Sequence, residues 1–273
     1  LVHGLFGFNN FMGADYFYHI PSILKADGAT VFVSTVSAAN STEVRGEQLL
    51  NQLLNFKAIS GAAKFNLIGH SHGSPTARYV ASVRPSLVAS VTSVDGVNKG
   101  SRVADVVRHV APAGSVSAAV ASTVADAFVK MLSYATGSSN LSQNTLSALD
   151  SLTTAGSIKF NSKHPAGLPS GCGEGAAVVN GIRYYSWGGD RALTNVVDPL
   201  DAGIKLMSLA FGGDANDGLV STCSQRLGHV IRVDYNMNHL DAVNQILGLT
   251  NILETNPKTL YRNHANRLKT AGL

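Results

Sequence analysis

Apolar residues recur along the chain with two alternating periods, which predict strands and helices in turn. Short β-branched runs predict strands, and longer runs with an apolar residue every three or four positions predict helices. The predicted strands of the first hundred residues are Thr30–Val36, Lys64–Ile68 and Val88–Val94. A helix with Asn40 as N-cap that stops at Gly61, and a helix over Pro75–Val83, separate them. The pattern predicts an α/β fold, a mostly parallel sheet with helices on both faces.

Strand and helix signals continue to the end of the chain. Gly181–Trp187 and His229–Val233 predict strands, and Asn256-Pro257 predicts the start of a last helix that reaches about Lys269. Between the two halves, residues 112–144 are rich in alanine, serine and valine and nearly uncharged. Because neither a repeat nor a linker interrupts the pattern, we interpret residues 1–273 as a single domain.

The composition limits the class of protein. Hydrophobic residues make up 45% of the 273 residues and charged residues only 14%, which indicates a folded chain with an apolar surface. No apolar run approaches the roughly 18 residues of a membrane helix, so we expect no transmembrane segment. The net charge is +4 and the basic residues form no run, so nucleic acid is not an expected partner. No leader peptide is recognisable, and the opening Leu1–Gly4 reads as the end of a strand.

The two cysteines, Cys172 and Cys223, do not have the spacing of a metal–thiolate site. Two buried thiols and one disulfide are both compatible with their positions. The sequence by itself does not separate these alternatives.

The strongest chemical signal is a possible nucleophile elbow. Residues Gly69–Gly73 read Gly-His-Ser-His-Gly, which fits G-x-S-x-G, and they lie between a predicted strand and a predicted helix. The pattern alone is weak, because a glycine-rich turn without chemistry also fits it. Its place between a strand and a helix favours the nucleophile elbow. On such a turn the Ser71 hydroxyl points out above the N-terminus of the next helix, which stabilises negative charge. We therefore predict an α/β-hydrolase fold with Ser71 as nucleophile.

A second motif, His3–Gly7, can supply the oxyanion hole that this nucleophile needs. In α/β-hydrolases, a backbone N–H from a loop near the first strands joins the N–H of the residue after the nucleophile. The donors here are predicted to be the backbones of Leu5 and His72. The His-Gly pair is a modest signal alone, and the elbow strengthens it.

A serine hydroxyl also needs a base, and in this fold the histidine comes last along the chain. His70 and His72 flank Ser71 too closely to take its proton. His239 lies in the loop Asn236–Leu240, after a predicted strand and before a helix. That position is typical of the catalytic histidine of this fold, so His239 is the predicted base.

The acid that orients the base has several candidates. Asp217 lies in the turn Asn-Asp-Gly upstream of His239. Asp95 follows the strand after the nucleophile helix, a position at which some hydrolases carry their acid. Asp198 and Asp201 are further candidates. Spacing favours Asp217 and leaves Asp95 open.

These residues stand within longer motifs that resemble one known family. The motifs are HGLFGF, DYFYHIPS, STEVRGEQLL, NLIGHSHG, VNGIRYYSW, ANDGLV and NMNHLDAVNQILGL, which together run nearly end to end. The chain resembles the secreted bacterial lipases of Pseudomonas and Burkholderia type, the true lipases of subfamilies I.1 and I.2. The resemblance implies a triad of Ser71, Asp217 and His239, with Leu5 and His72 as oxyanion donors.

The resemblance also implies features outside the triad. It implies a structural calcium ion held by Asp198 and Asp241 together with the carbonyls of Gln245 and Leu249. It implies a single disulfide between the two cysteines, secretion by a bacterium, and folding with a lipase-specific foldase. Relatives begin some residues upstream, and Ser74 and Asp95-Gly96 differ from the usual family pattern. Asp95 therefore remains a second candidate for the acid.

The segment 112–144 is the expected lid. Within Gly114–Gly137 a helical face is predicted for Val116, Val120, Val124, Phe128, Met131 and Leu132. Such a helix most often packs on a core, but the low charge, the insertion after a strand and the resemblance favour a mobile cover over Ser71.

The expected activity is hydrolysis of long-chain triacylglycerol at a lipid–water interface through an acyl-enzyme. The alternative enzyme is a carboxylesterase acting on soluble short-chain esters. A non-catalytic binding protein of hydrolase fold requires an incomplete triad, and every triad position is filled here.

Overall fold

The computed structural model describes residues 1–7, 10–11, 14–134 and 141–273, and describes no side chain within 8–14 or 132–140. Its strands are β1 (Asn10–Phe11), β2 (Ala14–Asp15), β3 (Phe65–His70), β4 (Val88–Val94), β5 (Val178–Val179), β6 (Ile182–Gly189) and β7 (His229–Tyr235). Its α-helices are α1 (Ile20–Ala26), α2 (Thr42–Ser60), α3 (Gly73–Val83), α4 (Arg102–Val107), α5 (Ala118–Tyr134), α6 (Thr145–Leu152), α7 (Thr154–Lys163), α8 (Asp201–Met207), α9 (Thr222–Gln225) and α10 (Pro257–Thr270).

The main sheet is mostly parallel, as predicted. Strand β4 lies between β3 and β6 and is parallel to both. On its other side, β6 pairs with β7 in parallel and with the short β5 in an antiparallel manner. Strands β1 and β2 form a separate antiparallel pair. The α/β class and the hydrolase-type sheet predicted from the sequence are confirmed.

Helices cover both faces of this sheet because successive strand residues point to opposite sides. In β3, Leu67 packs in a cluster with Leu49 of α2 and Val80 of α3. Its neighbour Ile68 packs in a second cluster, which contains Ile20 of α1 and Tyr261 of α10. All seven residues of β4 are buried, as in strands that are covered on both faces.

The prediction of a strand over Thr30–Val36 is wrong. The stretch is extended, and Leu1 bonds to it on both sides of Val33: its N-terminal nitrogen donates to the Phe32 carbonyl, and its carbonyl accepts from the Ser34 N–H. Further along, the side chain of Gln52 in α2 binds both the N–H and the carbonyl of Thr35. A glutamine side chain thus takes backbone bonds that a strand ladder would otherwise use.

The N-cap of α2 is also different from the prediction. The Ser41 hydroxyl, not Asn40, accepts the Val44 N–H and caps the helix. The Asn40 side chain is buried, and its amide donates to the Ser142 carbonyl at 3.1 Å. The Asn40 side chain therefore connects the N-terminus of α2 to the segment that precedes α6. At the other end of the chain, Asn256 caps α10 as predicted.

Helix α5 carries most of the predicted lid segment. Val124, Ala127 and Phe128 are buried in a cluster shared with α4 and α8. Val116, Val120 and Met131 pack partly buried against the same cluster, whereas Val129 on the opposite side is 63% exposed. The side chain of Leu132 lies outside the described residues. The apolar face of α5 therefore packs inward.

Cys172 and Cys223 form a disulfide, with their Cα atoms 4.7 Å apart. The disulfide confirms the family expectation and joins the segment before β5 to helix α9. Among the described residues, no helix combines the length and apolar character needed to cross a bilayer.

Candidate active site

Ser71 lies on the sharp turn between β3 and α3. Its φ is +56°, in the left-handed region that costs a non-glycine residue free energy. Backbone bonds hold this conformation, because the Ser71 N–H donates to the Val94 carbonyl at 3.0 Å and the Ser71 carbonyl accepts from the Ser74 and Val97 N–H groups. The turn is therefore fixed by the neighbouring strand β4 and by the first turn of α3.

The glycines that flank Ser71 have a steric explanation. A Cβ atom at Gly69 would lie 2.2 Å from the carbonyl oxygen of Gly73. A Cβ atom at Gly73 would lie 2.1 Å from the carbonyl oxygen of Val2. Both distances are far below van der Waals contact, so the turn and the N-terminal segment can approach only where side chains are missing.

His239 and Asp217 form a buried pair. His239 Nδ1 lies 2.7 Å from Asp217 Oδ2, and the His239 N–H donates to the Asp217 carbonyl at 3.0 Å. The other carboxylate oxygen, Oδ1, accepts the N–H groups of Leu219 and Val220 at 2.9 and 2.7 Å. The turn therefore fixes the carboxylate, and the carboxylate fixes one edge of the imidazole ring. Gln225 adds a side-chain donor at 3.2 Å from Asp217 Oδ2.

The remaining aspartate candidates have other partners. Asp201 Oδ2 accepts the N–H groups of Thr194 and Asn195, and its Oδ1 accepts the Asn238 side chain. Asp198 Oδ1 accepts the Leu200 N–H at 2.7 Å. These bonds order the loop around 194–200, on which the histidine loop rests.

Ser71 and His239 line one pocket. Its walls are mostly apolar and include Leu5, Val103, Phe128, Met131, Leu149 and Leu219. Phe128 and Met131 belong to α5, so this helix forms part of the wall. An apolar pocket with a hydroxyl and an imidazole suits an acyl chain whose ester reaches the polar groups.

The backbone N–H groups on either side of Leu5 already have acceptors. The Gly4 N–H donates to the Tyr16 hydroxyl at 3.1 Å, and the Phe6 N–H donates to the Ala38 carbonyl at 2.7 Å. The N–H groups of Leu5 and His72 donate to no acceptor within the described part of the chain. Leu5 and His72 therefore stay the predicted oxyanion donors.

A buried guanidinium supports this loop from behind. The Arg45 side chain is fully buried and donates to the carbonyls of His3 and Ser37. Its Nε donates to the Thr76 hydroxyl in α3 at 3.3 Å. Arg45 thus connects α2, α3 and the segment that leads into Leu5.

Sequence reasoning missed a buried chain of hydrogen bonds through Tyr16 and His70. The Tyr16 hydroxyl lies 2.6 Å from His70 Nδ1, and His70 Nε2 lies 2.8 Å from the His239 carbonyl. Burial lowers the pKa of His70 well below its usual value, so the ring is neutral. A tautomer with the proton on Nε2 satisfies both bonds. The sequence showed only that His70 precedes Ser71. That position does not reveal that His70 bonds to Tyr16 and to the His239 loop.

Asp95 is buried close to the same histidines. One nitrogen of His70, one carboxylate oxygen of Asp95 and one nitrogen of His239 lie within 4.8 Å of one another, which makes them a possible metal-ligand group. Two imidazoles in three ligands suit a transition metal better than calcium, which prefers oxygen. His70 already uses both ring nitrogens in hydrogen bonds.

The residues expected to bind calcium lie elsewhere. Asp241 Oδ2 accepts the Asn238 N–H at 3.1 Å, whereas its Oδ1 is buried with no partner among the described residues. Burial, with the nearby charges of Asp201 and Asp198, raises the pKa of Asp241 to about 7. The carbonyl oxygens of Gln245 and Leu249 accept no backbone hydrogen bond from the described residues. A buried carboxylate oxygen without a partner among the described residues, with further aspartates nearby, fits a hard divalent cation.

Comparison with known proteins gives full-length relatives. The chain is 58% identical to a triacylglycerol lipase of Vibrio cholerae, over all of this chain and 88% of that protein. It is 44% identical to a triacylglycerol lipase of Pseudomonas fragi, over all of this chain and 96% of that protein. A Burkholderia plantarii triacylglycerol lipase is 40% identical over all of this chain and 86% of its own length.

The family model of the α/β-hydrolase fold matches residues 1–123. Among solved structures, mature Bacillus licheniformis lipase BlEst2 is similar in fold, with a TM-score of 0.63 and 16% identity over 89% of this chain and 84% of that chain. Staphylococcus hyicus lipase has a TM-score of 0.59 and 17% identity over 98% and 94% of the two chains. The chain is a serine ester hydrolase, and it belongs to the bacterial triacylglycerol lipases of α/β-hydrolase fold.

Proposed function

We propose that this lipase hydrolyses long-chain acylglycerols at a lipid–water interface with a triad of Ser71, His239 and Asp217. The observation that carries the proposal is the buried His239–Asp217 pair, 2.7 Å apart, in the loop that shares an apolar pocket with Ser71. An apolar pocket of this kind favours an acyl chain over a small polar ester, which argues against the carboxylesterase alternative.

The proposed mechanism gives each of these residues one role. Ser71 Oγ attacks the ester carbonyl carbon while His239 Nε2 takes its proton. Asp217 accepts a hydrogen bond from the Nδ1–H of His239, and its negative charge stabilises the imidazolium. The N–H groups of Leu5 and His72 donate to the oxyanion of the tetrahedral intermediate. His239 then gives its proton to the leaving alcohol, and water repeats the sequence on the acyl-enzyme to release the fatty acid.

Residues 1–273 form a single catalytic domain in this proposal, and the segment 112–144 is its lid. Helix α5 covers the pocket with Phe128 and Met131. Contact of about 60 Å² of this apolar face with lipid is worth about 1.5 kcal/mol, which shifts an opening equilibrium about tenfold. A lipid surface therefore favours the open enzyme.

The test of this function compares an emulsified long-chain triglyceride with a dissolved short-chain ester. For a short triglyceride, we expect the rate to rise about tenfold as its concentration passes the solubility limit. Phe128→Ser and Met131→Ser should reduce that rise more than they slow hydrolysis of the dissolved ester. Val129→Ser, on the exposed side of the same helix, is the matched control. Equal loss on both substrates would make α5 a fixed pocket wall, and preference for the dissolved ester would favour a carboxylesterase.

We also propose a structural calcium ion held by Asp198, Asp241 and the carbonyls of Gln245 and Leu249. Asp241 Oδ1, which is buried and has no partner in the part of the chain that the structure describes, supports this site. The ion would supply positive charge to the loop that follows His239, and take no part in the proton transfers. The disulfide is compatible with an oxidising compartment, and secretion with the help of a lipase-specific foldase completes the proposal.

Chelation is expected to lower the melting temperature and the activity together. With calcium at a hundredfold excess over its dissociation constant, the bound ion stabilises the fold by about 2.7 kcal/mol, or about 5 to 10 °C. Calcium should restore both properties and magnesium should not, because magnesium demands a smaller octahedral site. Thermal melts and activity assays with Asp241→Asn should lose the response to chelator. The exposed Asp214→Asn is the control, and a melting curve unaffected by chelator would refute the site.

A further inference from the structure

The carboxyl group of Asp95 is buried beside the His239–Asp217 pair, at the end of strand β4. The residue is fully buried and has a φ of +43°, so the backbone is held in a costly conformation. Asp95 Oδ1 accepts the Gly189 N–H at 2.8 Å. Asp95 Oδ2 is buried and has no partner among the described residues. A charged carboxylate with one unsatisfied oxygen is unfavourable in such a place.

Gln225 also has a buried oxygen that lacks a hydrogen-bond donor. Its Nε2 donates to the Gly189 carbonyl and to Asp217, but its Oε1 is a buried acceptor with no partner in the described chain. A Cβ atom at Gly188 would lie 2.2 Å from Asp95 Oδ1 and 2.3 Å from Gln225 Oε1. The carboxyl group of Asp95 and the amide oxygen of Gln225 thus flank the same glycine.

Two acceptors in this position need a proton between them. A proton on the Asp95 carboxyl provides a donor for Gln225 Oε1, and it removes the unsatisfied charge at the same time. The missing side chain at Gly188 leaves room for the carboxyl group of Asp95 and the amide of Gln225 on the same side of β6. The two unsatisfied oxygens, Asp95 Oδ2 and Gln225 Oε1, therefore favour a protonated, neutral Asp95.

The electrostatic surroundings act in the same direction. Burial raises the pKa of Asp95 well above its usual value, the charge of Asp217 raises it further, and the Gly189 N–H lowers it. The titratable groups near this carboxyl are Asp217, Asp241, His70, His239, Tyr16 and Tyr261. The two carboxyl groups differ in their partners, because Asp217 accepts hydrogen bonds from four donors whereas Asp95 accepts one from the described residues.

We propose that Asp95 is a second acid of the active site, neutral while Asp217 is present and able to orient His239 when Asp217 is lost. The proposal rests on the proposed function, since it takes His239 as the base. Loss of Asp217 removes a negative charge that opposes ionisation of Asp95, although burial still opposes it. The positive charge that His239 gains during the reaction then favours an ionised Asp95 beside it. One of its oxygens is already within 4.8 Å of a His239 ring nitrogen. A small side-chain movement brings the new carboxylate into contact with the imidazole.

The decisive experiment is a double-mutant cycle on the full-length enzyme. Asp217→Ala should lower kcat by no more than about 100-fold, instead of the roughly 10⁴-fold expected for a triad without a replacement acid. The Asp95→Asn/Asp217→Ala double variant should fall by about 10⁴-fold, well beyond the product of the two single losses. In the control cycle, Asp27→Asn replaces Asp95→Asn. Asp27 lies in an exposed ion pair with Arg262, so the effects of Asp27→Asn and Asp217→Ala on kcat should simply multiply. An Asp217→Ala enzyme as inactive as the double variant overturns the proposal.

A second variant guards against misfolding of Asp217→Ala, and infrared spectroscopy reports the protonation state of Asp95 independently of activity. Asp217→Ser preserves a side-chain acceptor for the turn and replaces the alanine variant if thermal melting shows that the latter does not fold. Infrared spectroscopy at pH 7, without substrate and with calcium, should show a protonated-carboxyl C=O band in the wild type that Asp95→Asn removes. If this band is missing, Asp95 is charged and the proposal fails. An inactive wild type would instead refute the proposed function, while the infrared result would still report on Asp95.

Discussion

Ser71→Ala is expected to lower kcat for triglyceride hydrolysis by about 10⁶-fold, because the hydroxyl is the only group proposed to bond to the acyl carbon. The melting temperature should stay close to that of the wild type. Alanine and serine are similar in size, and the backbone bonds that hold the φ of +56° remain. The measurement is initial rate on emulsified substrate beside a thermal melt.

Ser22→Ala in α1 is the matched control. The Ser22 side chain is exposed, and among the described residues its hydroxyl donates only to the His19 carbonyl. It should retain wild-type activity. A Ser71→Ala enzyme that keeps more than a few per cent of the wild-type rate would show that another nucleophile carries the reaction.

Loss of the disulfide is expected to have the largest effect on stability. The cysteines are 51 positions apart, and a loop of that length is worth about 4 kcal/mol in the chain-entropy model. For a chain of this size, the melting temperature should fall by about 8 to 16 °C. The Cys172→Ala/Cys223→Ala variant and the reduced wild type should melt at a similar temperature.

The matched control is the response of the double variant to reductant, which should be absent. Activity at low temperature should persist in both forms, because the disulfide joins the segment before β5 to α9 rather than the pocket walls. Equal melting temperatures for reduced and oxidised wild type would mean that native contacts alone hold this loop.

The sequence predicted those parts of the site whose signals are local. The elbow at Ser71 needs two glycines at fixed spacing, and the structure gives each a steric reason. His239 is recognisable because a loop after a late strand is the usual place for the base. The apolar face of α5 follows from helical periodicity, which depends only on neighbouring residues.

The parts that could not be predicted depend on contacts between distant segments. Tyr16 and His70 are 54 positions apart, and their hydrogen bond has no signature in spacing. The choice between Asp95 and Asp217 needed the position of the His239 ring, to which two different loops converge. Thr30–Val36 looked like a strand because its residues have β propensity, but the Gln52 side chain of α2 takes the backbone bonds of Thr35. Propensity cannot register such competition.

Arg45 has a consequence for how the molecule folds. Its guanidinium leaves water completely and relies on the His3 and Ser37 carbonyls, at sequence separations of 42 and 8 residues. Removing a charge from water before both carbonyls are in place is costly, so these contacts form together or not at all. Long-range contacts that must form in one concerted step raise the folding barrier. We therefore expect the segment around Leu5 to become ordered together with α2 and the Ser37 loop rather than before them, so the predicted oxyanion donors gain their positions only when these distant parts of the chain have met.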